Sequence, residues 1–292
     1  MSTTAVPTVM APGAVRGMRR YLRSPQLRLG CALLVVAVAV AVLGPFLTPF
    51  DPSVSIGPAY APPGSDGMAL GGDQIGRDVL SRVLAGGVHL LWMAPLAALS
   101  SVAAGAALGL TAAFHGGIAD VLLMRLMDVV LAFPTIVFAL LFVSIIGPQP
   151  WLLVLLVAVA LTPGVARVVR GTALPLMSRE YVQWGRAVGL SSSRLLWREI
   201  LPNVTSPLAV ELGVRLMIAI NILASLSFLG YGIQPPAPDW GVMVSENRNG
   251  LSSQPLSVFA PIVLIVLFAA GGNLIAEGIA RVMARSEGKD ER

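Results

Sequence analysis

Several residue types on which enzymes rely are nearly missing from this sequence. Its 292 residues include one cysteine, two histidines and a single lysine, Lys289, close to the C-terminal end. The phosphate-binding pattern GxxxxGK[ST] therefore cannot be built, and no HExxH, GxSxG or Cys/His cluster occurs. We expect no catalytic residue, no metal site, no cofactor bound by this chain and no ATP hydrolysis through a P-loop.

Charge is also scarce, at 12% of residues, whereas 55% are apolar and the mean hydropathy is +0.79. One soluble core cannot bury that much apolar surface, so the composition predicts an all-α integral membrane protein. Crossing a hydrocarbon layer of roughly 30 Å takes about 20 helical residues. Six windows of this kind predict six transmembrane helices, near 29–47, 90–114, 129–147, 151–169, 205–229 and 256–276.

The first window follows a run of arginines, as the apolar core of a secretory signal would. Its apolar run is longer than a signal core, however, and no small-x-small cleavage site follows it. We therefore expect a retained membrane anchor. Cys31 lies within this run, and we expect it to be an unreactive core residue.

Positive charge is distributed unevenly among the predicted loops. With the N-terminus inside, 16 of the 20 cationic residues fall on the inner side. The positive-inside rule then places both termini and the loop 170–203 in the cytoplasm. The net charge of +5 reflects this topology and attraction to anionic lipid, since no arginine and aromatic pattern indicates nucleic-acid binding.

Two outer stretches separate the first and second spans. Residues 51–72 are rich in proline, glycine and aspartate, which predicts turns and extended backbone. The helical spacing of apolar residues in 71–87 predicts an amphipathic interfacial helix, although periodicity alone leaves a solvated connector open. The apolar face would comprise Ile75, Val79, Val83 and Leu84, and the charged face Arg77, Asp78 and Arg82.

Small and helix-breaking residues within the spans predict close packing and bends. Ser101, Gly105 and Gly109 form a stripe on the second span, where a neighbouring helix can approach closely. Pro134 and Pro163 remove backbone hydrogen bonds in the third and fourth spans. We expect bends there, either as static kinks or as moving hinges.

Two groups of ionisable residues fall at or within the predicted spans. Asp120, Arg125 and Asp128 stand at the inner end of the third span, where we expect them to anchor it among lipid headgroups. Glu211 and Arg215 lie inside the fifth span, and their i,i+4 spacing allows them to neutralise each other. Such a pair serves either helix packing or a transport pathway, and the sequence leaves both open.

A polar, arginine-rich stretch lies between the fourth and fifth spans. Residues 180–203 read EYVQWGRAVGLSSSRLLWREILPN and are much longer than an ordinary connection. The stretch resembles the cytoplasmic coupling loop of binding-protein-dependent ABC importer permeases, although Gln183-Trp184-Gly185 stands where that family has Glu-Ala-Ala. The candidate coupling residues are Glu180, Tyr181, Gln183, Trp184, Gly185, Arg186, Ala187, Gly189, Leu201, Pro202 and Asn203.

Further motifs extend the resemblance over about residues 27–279. LGGDQIGRDVLSRVLAGG is similar to LGTDxxGRDxxSRxxxGxR, with His89 near the usual arginine. GGIADVLLMRLMDVVLAFP is similar to GGxxDxxxMRxxDxxxAFP, and ARVVRG, REYV and SFLGYGIQPPAPDWGVMVSE match as well. The chain looks like the C-type permease subunit of dipeptide, oligopeptide and nickel importers, with a type I ABC importer transmembrane fold.

The resemblance implies a non-catalytic transport subunit in a bacterial inner membrane. Its partners would be a homologous second permease, two cytoplasmic ABC ATPase subunits or domains that hold ATP and Mg²⁺, an extracytoplasmic substrate-binding protein and the lipid bilayer. Within the loop, Gly189 would permit a tight turn, Leu201 would anchor the exit and Pro202 would start the next helix. Trp184 and Arg186 would dock the ATPase in the absence of the family's acidic residue.

The resemblance also implies dipeptides or oligopeptides as substrates, with nickel chelates and glutathione left open. The alternative from another functional class is an ion-coupled secondary transporter. Such a transporter needs ionisable groups near the middle of the membrane, and only Glu211 and Arg215 meet that requirement. The preferred interpretation divides the chain into four parts. These are a cytoplasmic basic segment 1–28, a first helix and outer segment 29–87, a type-1 transmembrane domain 88–277 with the coupling loop 170–203, and a cytoplasmic tail 278–292.

Overall fold

The computed structural model describes residues 25–290, and for 279, 280 and 282–290 it describes the backbone only. Most of the predicted basic segment 1–28 and the last two residues of the predicted tail lie outside the described residues. Within 25–290 there are two isolated β-bridges and no strand. The main helices are α1 (Pro25–Leu43), α2 (Val79–Ala85), α3 (Val88–His115), α4 (Gly117–Leu131), α5 (Thr135–Ile146), α6 (Pro150–Met177), α7 (Glu180–Ala187), α8 (Thr205–Phe228), α9 (Trp240–Asn247) and α10 (Leu256–Asp290).

Helices α1, α3, α6, α8 and α10 are each long and apolar enough to span a membrane. The sixth candidate span is the pair α4 and α5, whose axes meet at 79°. The bend expected at Pro134 in the predicted span 129–147 is therefore confirmed, and the helical stretch on its N-terminal side begins earlier, at Gly117. Pro134 interrupts the helical hydrogen bonding, and α5 retains 12 residues, or roughly 18 Å, which is too short to cross alone. Pro163, in contrast, lies within an uninterrupted α6.

Small residues set the closest helix contacts. The α3 and α6 helices run parallel, and a Cβ at Gly105 would lie 2.5 Å from Cβ of Val165. A Cβ at Gly109 would lie 2.4 Å from the carbonyl oxygen of Ala166. With Ser101 fully buried as well, the predicted small-residue stripe is the face on which α6 packs.

The α1 helix packs along α10 in the antiparallel direction. A Cβ at Gly30 would touch Leu274, and one at Gly271 would touch Leu34, so the two backbones lie close together. Cys31 is exposed, and the expectation of a core position is wrong. The buried residue at this point of the contact between α1 and α10 is Gly30, which precedes Cys31.

The bundle has two distinct ends. We call the end that carries residues 178–204 the loop end, and the end that carries residues 44–87 and α9 the cap end. In the cap, residues 51–72 form turns, bends and a short 3₁₀ turn, as their composition predicts. Within the cap, Trp240 joins α9 to α2, since its buried indole N–H donates to the carbonyl oxygen of Val83 at 2.7 Å.

The predicted amphipathic helix is present only in part. The helical segment is the short α2, which Asp78 caps by accepting hydrogen bonds from the first turn. Ile75 precedes the helix and is exposed, whereas Arg77, Asp78 and Arg82 are buried. The expected polarity is reversed at these positions because the charged side chains find partners inside the cap.

Candidate coupling loop and charged sites

Residues 178–204 form a compact loop made of short helical turns. After α7 comes a left-handed turn at Gly189, and a helical turn at 192–194 then continues into a π-helical turn at 195–200. A 3₁₀ turn at 201–204 leads into α8. Because α6 extends to Met177, the first eight positions of the predicted loop 170–203 are helical.

The loop is held to the bundle by an apolar inner face. Val182, Ile200 and Val204 are buried in one cluster with side chains of α3 and α6. Gly185 is also buried, and a Cβ there would lie 2.6 Å from Cδ2 of Leu195. Gly185 stands where the family has alanine, and the side chain of Leu195 occupies the space that an alanine methyl group would take.

Gly189 gives the loop its sharp turn. Its φ is +80°, and no atom lies within 4 Å of the position that a Cβ would take. Backbone conformation alone, and not space, therefore favours glycine here. The N–H of Leu190 donates to the carbonyl oxygen of Gly185 at 3.0 Å and closes the turn.

Arg186 ties the loop to α3. Its Nη2 donates to the carbonyl oxygen of Phe114 at 3.0 Å, and its guanidinium carbon lies 4.5 Å from the centre of the Phe114 ring. That carbonyl belongs to the last turn of α3, where the helix dipole favours a cation. Gln183 is also used within the chain, because Nε2 donates to the carbonyl oxygen of Ser178 at 3.2 Å.

The outer face of the loop presents large apolar side chains. Tyr181, Trp184, Val188 and Trp197 are between 41% and 67% exposed. Glu180 and Ala187 of α7 are exposed as well. The helix α7 thus has two apolar faces, of which the inner one packs on the bundle. Among the residues that the structure describes, nothing covers the outer one.

The exit of the loop is shifted by one turn from the prediction. Leu201 is half-buried against the apolar cluster, and Pro202 stands in the 3₁₀ turn, so that α8 begins at Thr205. Asn203 donates from Nδ2 to the carbonyl oxygen of Glu199 at 2.5 Å. An open groove of about 650 Å³ adjoins the exit and is lined by Leu176, Ser178, Arg179, Glu180, Tyr181 and Asn203.

Two ion pairs join α4 to α6. Both carboxylate oxygens of Asp120 accept from Arg170, at 2.5 and 2.6 Å, and Asp128 accepts from Arg167 at 2.5 Å. The two aspartates, expected to stand among headgroups, are paired with arginines of a neighbouring helix, a contact that the sequence did not predict. Arg125 alone extends outward, with a side chain that is 78% exposed. The motifs around 116–134 and 166–171 are therefore two sides of one contact.

Glu211 and Arg215 form the pair that their spacing allows. Oε2 of Glu211 accepts from Nε and Nη2 of Arg215, at 2.9 and 2.6 Å. The two side chains are 14% and 15% exposed. The guanidinium lies against α6 at Gly164, where a Cβ would be 2.6 Å from Nη2.

A further group of charges is buried in the cap, where the sequence reasoning missed it. Asp73 lies 2.6 Å from Arg77 and 2.7 Å from Arg82, and Glu246 lies 2.8 and 2.9 Å from the same two arginines. Two positive and two negative charges cancel, which allows burial. The i,i+4 spacing of Asp73 and Arg77 was an available signal. Glu246, 169 positions beyond Arg77, gave none.

Burial shifts the acidity of two carboxyl groups in the cap. It raises the pKa of Glu246, and the attraction of Arg77 offsets this only in part. Burial also raises the pKa of Asp239, although this residue accepts hydrogen bonds from the first N–H groups of α9. His89 faces the Asp239 charge, and its buried Nδ1 has no hydrogen-bond partner within the described part of the chain.

Comparison with known proteins places these features in one family. The family described as binding-protein-dependent transport system inner membrane component matches residues 105–287, which include the loop and the Glu211–Arg215 pair. The chain belongs to this family. It is a transport permease component of an inner membrane, and the predicted type I ABC importer fold is confirmed. Among the side chains that the structure describes, at 25–278 and 281, no group of histidine, cysteine and acidic residues could hold a metal ion.

Three similar proteins of the family cover most of this chain. The dipeptide transport system permease protein DppC of Haemophilus influenzae is 32% identical over 86% of this chain and 87% of its own length. The di/tripeptide transport system permease protein DppC of Pseudomonas aeruginosa is 33% identical over 86% and 84%. The glutathione transport system permease protein GsiD of Pectobacterium atrosepticum is 34% identical over 89% and 87%.

Proposed function

We propose that this chain forms half of the translocation path of an ATP-driven importer for short peptides. The observation that supports this best is the loop 178–204, which is anchored by one apolar face and exposes a second. A simple connector needs no outer apolar face. Exposed apolar surface of this kind marks a binding site. A loop that receives force from a partner needs both the rigid seat and the docking surface.

The proposal assigns each end of the bundle a partner. Two cytoplasmic ABC ATPases, which hold ATP and Mg²⁺, bind at the loop end, and a second related permease completes the path. A substrate-binding protein delivers its ligand at the cap end. Both termini lie in the cytoplasm, in keeping with the predicted inner location of 16 of the 20 cationic residues. This chain contributes no catalytic group.

Three contacts would carry movement of the loop into the bundle. Arg186 connects it to the end of α3 through Phe114. Buried Val182 packs in the cluster that includes α6, and the 3₁₀ turn at 201–204 leads directly into α8. When the ATPases close, the loop end of these three helices would therefore move together.

Short peptides are the proposed substrate class because the similar proteins are named for dipeptides, di/tripeptides and glutathione. The test is reconstitution of the complete complex in liposomes and measurement of labelled dipeptide uptake. We expect uptake to require ATP and to survive ionophores that collapse proton and sodium gradients. Uptake that persists without ATP and stops with the gradient would establish an ion-coupled secondary transporter instead. Competition by unlabelled dipeptide, glutathione or a nickel chelate then ranks the substrates.

The docking surface has its own test. Trp184→Ala with Trp197→Ala should weaken ATPase binding by at least tenfold, because buried tryptophans dominate the affinity of many interfaces. Trp151→Ala removes an equally exposed tryptophan on α6 and should leave ATPase binding unchanged. Leu201→Asp places a charge against the apolar cluster and should uncouple ATP hydrolysis from uptake. Normal assembly and coupling in all of these variants would refute the role of the loop.

A further inference from the structure

The loop-end half of α8 is partly exposed on every side. Each of the thirteen residues from Ser206 to Ile218 is half-buried, whichever way its side chain points, whereas Ala219 and Ile220 are fully buried. A helix packed along one face would instead alternate between buried and exposed positions with its own period. The uniform partial exposure indicates accessible space around this half of the helix. The uniform stretch ends at Ala219.

Glu211 and Arg215 lie within this half, deep in the bundle. Counted from the start of α8 at Thr205, they stand roughly 9 and 15 Å along the helix axis. In the predicted span 205–229, Arg215 therefore falls near the middle of the roughly 30 Å hydrocarbon layer that this span would cross. A charge at this depth is strongly unfavourable in contact with lipid, so its exposed part belongs to space inside the transporter.

The pair has unused hydrogen-bonding capacity. Arg215 binds Oε2 of Glu211 through Nε and Nη2, while Nη1 of Arg215 and Oε1 of Glu211 have no hydrogen-bond partner among the described residues. The cap cluster is different, because each of its carboxylates lies close to two arginines, and Nε and Nη2 of Arg82, which make no hydrogen bond within the described residues, are buried, out of reach of a ligand. If the Glu211–Arg215 pair served packing alone, its remaining polar atoms would be buried in the same way.

Gly164 leaves room for the guanidinium to lie against α6. A Cβ at Gly164 would lie 2.6 Å from Nη2 and 3.0 Å from both Cζ and Nη1 of Arg215. Only glycine lets the guanidinium approach the α6 backbone this closely. With one face of the group against α6 and one edge on Glu211, the remaining edge is the part available to a ligand.

The geometry points to a binding site for the two charged termini of a peptide. Nη1 of Arg215 receives the C-terminal carboxylate, and Oε1 of Glu211 receives the N-terminal ammonium group. The internal pair stays intact, and the ligand completes a ring of alternating charges where the low dielectric strengthens each contact. This inference rests on the proposed function and adds the chemical class of the substrate, a short zwitterion with both termini free.

A single introduced thiol tests the site without the binding protein. Cys31 is the only cysteine, so Cys31→Ser clears the background in this chain. Val214→Cys then places a thiol on the half-buried neighbour of Arg215, one helical turn beyond Glu211. The assembled complex in lipid nanodiscs is labelled with a charged thiol reagent, and modification of this chain is followed by mass spectrometry. Labelling rates are compared in L-alanyl-L-alanine, its N-acetyl form and its C-terminal amide.

We expect the free dipeptide to slow labelling about tenfold, as one charge-assisted contact allows, and the blocked forms to slow it much less. Arg215→Gln should remove the difference between the free dipeptide and its amide. Glu211→Gln should remove the difference between the free and acetylated forms. Glu277→Gln with Arg281→Gln alters an exposed i,i+4 pair on α10 and should change none of these rates.

Absence of labelling, or equal protection by all three dipeptides, overturns the inference. Basal ATP hydrolysis and size-exclusion profiles identify any variant that fails to assemble. In that case Arg215→Lys and Glu211→Asp replace it, and they should weaken protection by the free dipeptide more than by the blocked forms. ATP-driven uptake by the unaltered complex is measured in parallel. If uptake is normal while protection is unselective, the site is wrong and the proposed function stands.

Discussion

Arg186 makes two contacts with a single residue of α3, because Nη2 donates to the carbonyl oxygen of Phe114 and the guanidinium lies 4.5 Å from the centre of its ring. The first contact binds the end of the helix backbone and the second binds a side chain. Displacement of α7 would therefore pull on the last turn of α3. This makes Arg186 a candidate for transmitting motion as well as for docking.

Loss of the Arg186 contacts should impair coupling more than assembly. We expect Arg186→Gln to reduce ATP-driven uptake severalfold and to weaken ATPase binding by a smaller factor. Combined with Phe114→Leu in a double-mutant cycle of thermal unfolding, it should show an interaction of about 1 kcal/mol, since Arg186 is exposed and Phe114 only half-buried. Arg194→Gln changes an exposed arginine of the same loop and is the control. An interaction energy near zero would contradict the proposed link.

Gly189 should be sensitive to substitution through its backbone alone. Gly189→Ala is expected to destabilise the loop by about 1 kcal/mol, because an L-residue is strained at its φ of +80°. Gly171→Ala is a matched control, since Gly171 also has open space around its Cβ position but lies in the helix α6. Hydrogen exchange across residues 178–204 measures the difference. Equal exchange in both variants would mean that the turn is not fixed.

Asp239 should make the stability of the cap depend on pH. Burial raises its pKa above the ordinary value of 3.8, so the folded protein holds this proton more tightly than the unfolded chain. The free energy of unfolding therefore decreases as the pH rises from 3.8 through the folded pKa, and it is level beyond. Asp239→Asn should remove this slope and keep the helix cap. Asp239→Ala should remove the slope but cost about 1 kcal/mol of capping.

His89→Gln is included in each Asp239 variant and in its reference, because His89 is the ionisable neighbour of this carboxyl. Thermal unfolding of the detergent-solubilised complex across the acid range gives the slope. A slope that persists unchanged in Asp239→Asn would assign it to another group. Glu246, whose pKa burial also raises, is the next residue to replace.

The Asp120 and Arg170 pair should tolerate exchange of its charges. Asp120→Asn or Arg170→Gln alone is expected to destabilise the complex by about 1 kcal/mol, because the pair is partly exposed. Asp120→Arg together with Arg170→Asp should recover most of that loss, as read from the melting temperature. Arg281→Gln, in an exposed pair within a single helix, should have little effect. Failure of the exchanged pair to recover would indicate that packing, not charge, joins α4 to α6.

Features that depend on local composition were predictable from the sequence. Long apolar runs identify the spans, since backbone amides in lipid must bond within their own segment. The stripe at Gly105 and Gly109 predicts a close helix contact, and the polar length of 180–203 predicts a loop outside the bundle. Each of these features is determined by residues that are close together in the sequence.

Features that depend on distant partners were not predictable in the same way. Arg77 and Arg82 resemble the polar face of a surface helix until Glu246 is brought beside them. Asp120 and Asp128 likewise resemble headgroup anchors until α6 supplies two arginines. A proline alone does not predict the 79° angle between α4 and α5, because Pro163 leaves α6 continuous.

The position of Trp240 gives the protein a natural optical sensor. The other four tryptophans are each at least 41% exposed, whereas Trp240 is 2% exposed and lies against Gly87 and Ala41. Among the tryptophans of this chain, Trp240 alone lies in a dry seam, between the first, second and last spans, so its emission lies at shorter wavelength than that of the other four. Water entering the seam would shift the emission to longer wavelength, so each transport cycle could be watched in real time without an attached dye.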